Sequence, residues 1–421
     1  MKKPWRIAGS VLAVALIVAF ILGLVSGTPE PKYNGRKLTE WLEELRHPSS
    51  PSPLARTNAM IAIRHMGTNA VPYLVTMLHA KDSKLKSKCV DLLSRQRWVN
   101  FHFRDDYLRR DDALRGLGVL GPDAKTAIPE IAKLLDDRLH AQMTAYTLHQ
   151  IGAEAVPVLN QALKSTNSWA RSQAAGFLGV SGDEASVPGL IAALKDPDFV
   201  TKSRAAHALS RFPEQAEVIV PALTGCLNDP DDTFRMNAAR ALSSFGEKAK
   251  PAFPALMKMV TSTNSQEGTT AAAMLMKIDS EAAMTAFIKN LESDDVEVRR
   301  TTAWALMITK SKGKPAVEAL VKCLKDKDNT LKQNAAVALR EIGQEPDVVV
   351  PALMDNLNDP DLTVRSITAI ALSSFGDKAK PAVPIILKLL EENRNDELTA
   401  GGLYNALAKI DPEAVEKLAG K

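Results

Sequence analysis

The chain has 421 residues, a formal net charge of +4 and only 5% aromatic residues, and alanine and leucine dominate it. A charged fraction of 24% excludes a disordered chain, and the wealth of small apolar side chains favours a close-packed helical array over the two or three mixed globules that this length usually implies. Three cysteines, Cys89, Cys226 and Cys323, are too few and too widely spaced for a disulfide framework or a zinc site.

Residues 1–6 are a basic flank with Lys2, Lys3 and Arg6. Residues 7–27 follow as IAGSVLAVALIVAFILGLVSG, with no charge in 21 positions. A helix of that length spans a hydrocarbon core of about 30 Å, so a transmembrane signal anchor is expected. The flank favours a single-pass membrane protein with a cytoplasmic N-terminus and everything downstream extracytoplasmic, although Lys32, Arg36 and Lys37 blunt the asymmetry. Cleavage near Gly27, giving a secreted form, is the alternative.

Residues 28–53 read as a linker. TPEP and HPSSPSP break regular structure. Between them Leu38, Trp41, Leu42 and Leu45 share one apolar helix face, suited to capping the open end of an array.

From residue 54 onward the chain repeats itself. LNDPDDTFRMNAARALSSFGEKAKPAFPALMKMV from Leu227 aligns without a gap to LNDPDLTVRSITAIALSSFGDKAKPAVPIILKLL from Leu357. One apolar position serves as a ruler: Ile63, Leu117, Leu148, Leu178, Leu209, Leu242, Leu275, Leu306, Leu339, Leu372 and Leu407. Each unit reads as two helices, A and B, and the whole as ten to eleven hairpins. In residues 229–260, Asp229-Pro230-Asp231-Asp232-Thr233 supplies a turn and an N-cap, and Phe234, Ala238, Ala241, Leu242 and Phe245 form the apolar face of helix A. Gly246 ends it, as Gly67, Gly121, Gly152 and Gly376 do elsewhere. Helix B starts near Pro72, Pro129, Pro157, Pro188, Pro221, Pro254, Pro351 or Pro384, because a first-turn proline gives up no hydrogen bond.

This layout resembles HEAT repeats, and within them the short type of the phycobilisome-lyase-like HEAT group, across residues 54–421. The carriers are Asp359-Pro360-Asp361 to Val364-Arg365, the A-x-A-L run and the A-V-P-x-L start of helix B. The resemblance implies an all-α fold, a right-handed α-solenoid of helical hairpins. It also implies a structural ladder in which Arg56, Arg171, Arg235, Arg299 and Arg365, with Lys202 and Lys332 at the same place, pair with acids such as Asp231 or Asp361 of neighbouring repeats. An anion-binding stripe is the other reading of that column.

No catalytic constellation emerges. None of His47, His65, His79, His102, His140, His149 and His207 is followed by Glu, whereas the HEAT-built hydroxylases use His-Glu pairs. H-E-x-x-H, G-x-S-x-G and Walker A patterns are missing too. No catalytic residue, cofactor, metal or small-molecule ligand is expected. Residues 141–421 carry 31 Lys/Arg against 35 Asp/Glu, so a nucleic-acid partner is not expected either.

Two features depart from the repeat. An insertion at about 81–107 interleaves Arg95, Arg97 and Arg104 with Trp98, Phe101, Phe103 and Tyr107. It reads either as an extra helix packed on the first hairpin or as a contact for a partner or a membrane surface, since arginine and aromatics anchor interfaces. The second is a variable outward column on helix A: Ile61, Tyr146, Gly176, His207, Arg240, Ala273, Trp304, Val337 and Ile370. It is either plain surface or a tuned binding face. The expected function is a membrane-tethered scaffold for protein–protein interaction, with an enzyme or enzyme subunit on the same scaffold (lyase-like or hydroxylase-like) as the alternative.

Overall fold

Short acidic side chains start the A helices. Asp231, Asp295, Asp328 and Asp361 each stand in extended backbone one residue before a helix. Their carboxylates accept from the first-turn N–H groups of Phe234, Glu297, Leu331 and Val364, groups with no partner inside the helix. The next turn of chain carries the apolar stripe, and the ruler residues from Ile63 to Leu407 are all 0% exposed.

The computed structural model describes residues 28–46, 53–79, 106–137 and 139–419. The chain divides into two compact units, residues 1–208 and 209–421. The first holds a strand pair, β1 (Lys32–Tyr33) and β2 (Arg36–Lys37), and helix α1 (Leu38–Arg46). A and B helices then alternate: α2 (Pro53–Met66) with α3 (Val71–Leu78), α4 (Asp106–Leu120) with α5 (Ile128–Ala132), α6 (Ala141–Ile151) with α7 (Val156–Ala162), and α8 (Ser168–Ser181) with α9 (Val187–Ala193). Helix α10 (Phe199–Leu209) stands at the division and α11 (Ala216–Cys226) opens the second unit. There follow α12 (Asp232–Leu242) with α13 (Phe253–Val260), α14 (Ser265–Ile278) with α15 (Ser280–Leu291), and α16 (Val296–Leu306) with α17 (Val317–Cys323). The last pairs are α18 (Asn329–Ile342) with α19 (Pro346–Asn356), α20 (Leu362–Leu372) with α21 (Val383–Glu392), and α22 (Glu397–Ile410) with α23 (Pro412–Ala419). Even-numbered helices from α2 are A helices, and within each unit consecutive A helices pack side by side, α4 on α6 on α8 and α12 on through α22.

Helix α1 covers the first hairpin. Leu38 and Leu42 are fully buried, with Trp41 and Leu45 nearly so. At Gly116 of α4 an added Cβ would lie 2.9 Å from Leu42 and from Leu74, so the missing side chain is what lets α1 and α3 approach α4. The strand pair ahead of α1 was not expected from the sequence. Its signal is Asn34-Gly35, both at positive φ, the requirement of a two-residue hairpin turn.

The single-pass membrane placement, N-terminus cytoplasmic and repeats extracytoplasmic, is corrected. No helix among the described residues is long and apolar enough to cross a membrane. The longest, at 15 residues, falls short of the roughly 20 that a bilayer core requires. Residues 7–27, on which that expectation rested, lie outside the described residues, as do residues 81–105 of the insertion.

Proline placement is also revised at two positions. Pro72, Pro129, Pro157, Pro188, Pro254 and Pro384 occupy the first turn of their B helices. Pro221 and Pro351 instead lie inside α11 and α19, which begin a turn or more earlier at Ala216 and Pro346. Both prolines are exposed, so water replaces the lost intrahelical bond.

In most hairpins, though not after Leu209, Leu275 or Leu407, the residue four beyond the ruler takes a backbone conformation suited to glycine. Gly246 and Gly376 have φ of 54° and 50°, and Lys310 holds the same place in α16–α17 with φ of 51° and ψ of −143°. That region costs a side chain about 1–3 kcal/mol. Lys310→Gly is therefore expected to stabilise the chain by about 1 kcal/mol, since the exposed ion pair with Glu341 that it removes is weak. Denaturant unfolding of the two proteins measures this, and a destabilised variant contradicts it.

Candidate functional site

The insertion residues Arg95, Arg97, Trp98, Phe101, Phe103 and Arg104 lie outside the described residues, as does the side chain of Tyr107. The arginine column and the A-helix surface are described.

Four of the column arginines sit six residues after the start of their own turns. Arg171 donates through Nη1 to the carbonyls of Ser165 and Thr166, Arg235 to those of Asp229 and Pro230, Arg299 to Ser293 and Asp294, and Arg365 to Asp359 and Pro360. The rest of the guanidinium points to the following hairpin. Arg171 reaches Asp196 at 2.7 and 2.8 Å, Arg235 reaches Glu267 at 2.5 and 3.0 Å, and Arg299 reaches Asp326 at 3.0 Å. Lys332 does the same with Asp359 at 2.5 Å.

The acids so paired are not the ones anticipated. Asp231 and Asp361 serve as N-caps, while the cross-hairpin partner is the first acid of the next D-x-D turn: Asp196, Asp326 or Asp359. The α13–α14 turn reads Ser262-Thr263-Asn264 and offers no acid, so Glu267 on α14 takes its place and also accepts from Ser262 at 2.7 Å. The hydrogen bonds from Arg235 hold the Glu267 carboxyl below its usual range despite its burial. No acid of a following turn reaches Arg365 among the described residues, and Arg56 stands exposed.

Arg56 belongs to a different feature. A groove of about 140 Å³ runs across α2, α4 and α6, walled by Arg56, Met60, Arg64, Arg115, Met143 and Tyr146. Tyr146, a member of the outward column, is 47% exposed. Behind Tyr146, Phe177 and His149 pack with ring centroids 5.7 Å apart. Arg115 is held by Asp111 at 2.8 Å, and Arg64 donates to the Val119 carbonyl at 3.3 Å. No carboxylate among the described residues pairs with Arg56 or Arg64.

The second unit carries a larger groove of about 360 Å³ across α14, α16 and α18, lined in part by the half-buried Trp304 of the outward column. Its charge is settled internally: Arg300 is chelated by Asp328 and also meets Glu297. Asn334 donates to the Arg300 carbonyl at 3.0 Å. One member of the outward column lines each groove, Tyr146 in the first and Trp304 in the second. The sequence could not show this, because each groove needs three helices from separate hairpins. Among the described residues no group of His, Cys, Asp and Glu is arranged to hold a metal ion.

The family model for HEAT repeats matches residues 128–210, 187–277, 220–307, 284–373 and 317–401, together well over half of the chain. The chain belongs to the HEAT-repeat family. Among solved structures, this HEAT protein is similar to the karyopherin Kap121p bound to the extreme C-terminus of the protein phosphatase Cdc14p, at 13% identity and a TM-score of 0.54 over 91% of this chain and 51% of that one. It is similar also to Kap121p bound to Nup53p and to Pho4p, each at 12% identity and a TM-score of 0.55 over 90% of this chain. At such identities the likeness is one of fold. The HEAT chain spans about half the length of Kap121p. No curated protein matches its sequence.

Removing one partner of a buried ion pair strands the other, at a cost of about 3 kcal/mol. Arg235→Ala is expected to lose about that much, because the Glu267 side chain is only 4% exposed. The pH dependence has a definite sign. Glu267 has a depressed folded value, so its contribution is complete above the ordinary carboxylate value of 4.5 and fades as the pH falls through the folded value. Acid unfolding of Glu267→Gln should be less steep below about pH 4.5 than that of the parent; parallel curves contradict the assignment.

Proposed function

We propose that this HEAT-repeat chain is a non-catalytic scaffold for protein–protein interaction. The observation that carries the reading is the pair of grooves, each built across three successive A helices and each lined in part by an outward aromatic side chain, Tyr146 or Trp304. Such surfaces suit extended partners, because stacked hairpins present neighbouring side chains in a row. Kap121p, whose fold this chain shares in part, is bound to the extreme C-terminus of Cdc14p, to Nup53p or to Pho4p in three structures, which agrees with this reading.

Within the proposal the column Arg171, Arg235, Arg299 and Arg365 is structural, spending its donors on turns and acids of the scaffold. Arg56 is assigned to the binding surface. Arg95, Arg97, Trp98, Phe101, Phe103, Arg104 and Tyr107 form a second candidate contact, because arginine and aromatics dominate interface hot spots. Placement in the short-repeat, phycobilisome-lyase-like group is part of the same proposal and rests on the A-V-P-x-L spelling of helix B.

The test is quantitative affinity capture with the full chain, the parent compared with Arg95→Ala/Arg97→Ala/Trp98→Ala. Partners recovered by the parent should fall at least about tenfold in the triple variant, the usual effect of losing one hot spot. Equal recovery by both proteins removes the insertion from the contact. Failure of the parent to retain any protein above an unrelated control overturns the scaffold reading.

A further inference from the structure

The arginine-lined groove of the first unit differs in kind from its counterpart in the second. In the second, Arg300 is chelated by Asp328 and joined by Glu297, so the groove presents a satisfied pair. In the first, Arg115 alone is satisfied by a carboxylate, and Arg56 and Arg64 are exposed on α2 with none among the described residues. The groove is therefore a cationic patch within a chain whose residues 141–421 lean acidic, at 31 Lys/Arg against 35 Asp/Glu.

Spacing then restricts the ligand. Arg56, Met60 and Arg64 follow at i, i+4 and i+8 on one face of α2, about 6 Å per step along the axis. Alternate side chains of an extended peptide recur about every 6.6 Å. A strand laid along α2 thus matches charge to charge and apolar to apolar when it reads acid-x-apolar-x-acid. The opposite wall supplies Met143 and Tyr146 of α6, three residues apart, as a soft apolar side against the central residue. Two exposed arginines are too few to track a nucleic-acid backbone, which needs an extended basic stripe. The chain's own insertion is a poor occupant, since residues 81–104 hold seven Lys/Arg against two Asp.

We infer that the Arg56–Met60–Arg64 face of α2, with Tyr146 opposite, docks an acidic peptide segment of a partner protein of the form acid-x-apolar-x-acid. The inference rests on the scaffold reading and specifies the partner's chemistry at one place. It is tested with the full chain and fluorescein-labelled peptides containing Glu-Ser-Leu-Ser-Glu, its Gln-Ser-Leu-Ser-Gln counterpart, and Lys-Ser-Leu-Ser-Lys, read by fluorescence anisotropy. The Glu peptide should bind at least about tenfold more tightly than the other two, and more weakly as salt rises. Arg56→Glu should lower its affinity at least about tenfold, with Arg56→Glu/Arg64→Glu lowering it further. Both side chains are exposed, so an unchanged circular-dichroism melt is expected, and Arg56→Glu alone leaves the Arg64–Val119 bond intact. Tyr146→Ser should weaken the Glu and Gln peptides alike, because it removes an apolar wall and no charge. Equal binding of the Glu and Gln peptides, or a Glu peptide indifferent to Arg56→Glu, overturns the inference. If captured partners survive Arg56→Glu/Arg64→Glu, the groove assignment fails while the scaffold reading stands.

Discussion

None of the described hairpins closes a core of its own. A leucine such as Leu148 or Leu306 is fully buried because the A helices of consecutive hairpins lie side by side, each supplying the wall its neighbour lacks. The approach is close enough that side chains must be missing from it. An added Cβ on Gly179 of α8 would lie 2.5 Å from the Ala208 Cβ of α10. The abundance of Ala at 0% exposure on the A helices is the same constraint in milder form. A methyl group fills the space that closely approaching helices leave, at little cost in side-chain entropy. Stability is therefore distributed, with every interface between neighbours contributing and none holding the whole.

The arginine clamps follow from this arrangement. A turn between hairpins exposes carbonyls that no helix satisfies, and the next turn brings a carboxylate within reach. One guanidinium, with its planar set of donors, answers both needs where a lysine answers one. Arg171, Arg235 and Arg299 show the full pattern, and Lys332 shows the reduced one, reaching Asp359 while Arg365 secures the carbonyl of that same residue. Because these donors are consumed by the scaffold, the column is a poor anion stripe. Arg56, the column member that stands exposed, and the exposed Arg64 have no such carboxylate partner among the described residues.

Much of the fold was legible because a repeat states its rules many times over. The ruler from Ile63 to Leu407 marks fully buried positions without exception, and Gly67, Gly121, Gly152, Gly246 and Gly376 all take positive φ. What escaped the sequence reading was local or combinatorial. Pro221 and Pro351 look like helix starts until the preceding residues are seen to be helical too. The choice between the two acids of a D-x-D turn depends on backbone direction: the second faces its own helix, and the first faces the previous hairpin. The grooves were illegible for a simpler reason, since Arg56, Arg115 and Tyr146 meet only when three hairpins are stacked. The membrane placement came from a composition signal in residues 7–27 and has no counterpart among the helices described.

Neighbour coupling is the claim on which both the fold and its grooves depend. It is tested most directly by native-state hydrogen exchange on Leu242→Asp, which puts a charge where side-chain exposure is 0%. Local coupling predicts lost protection in α12, α13 and the adjoining α14, with α18 to α22 retaining theirs. A uniform loss of protection along the entire chain would show a single cooperative core and contradict the account.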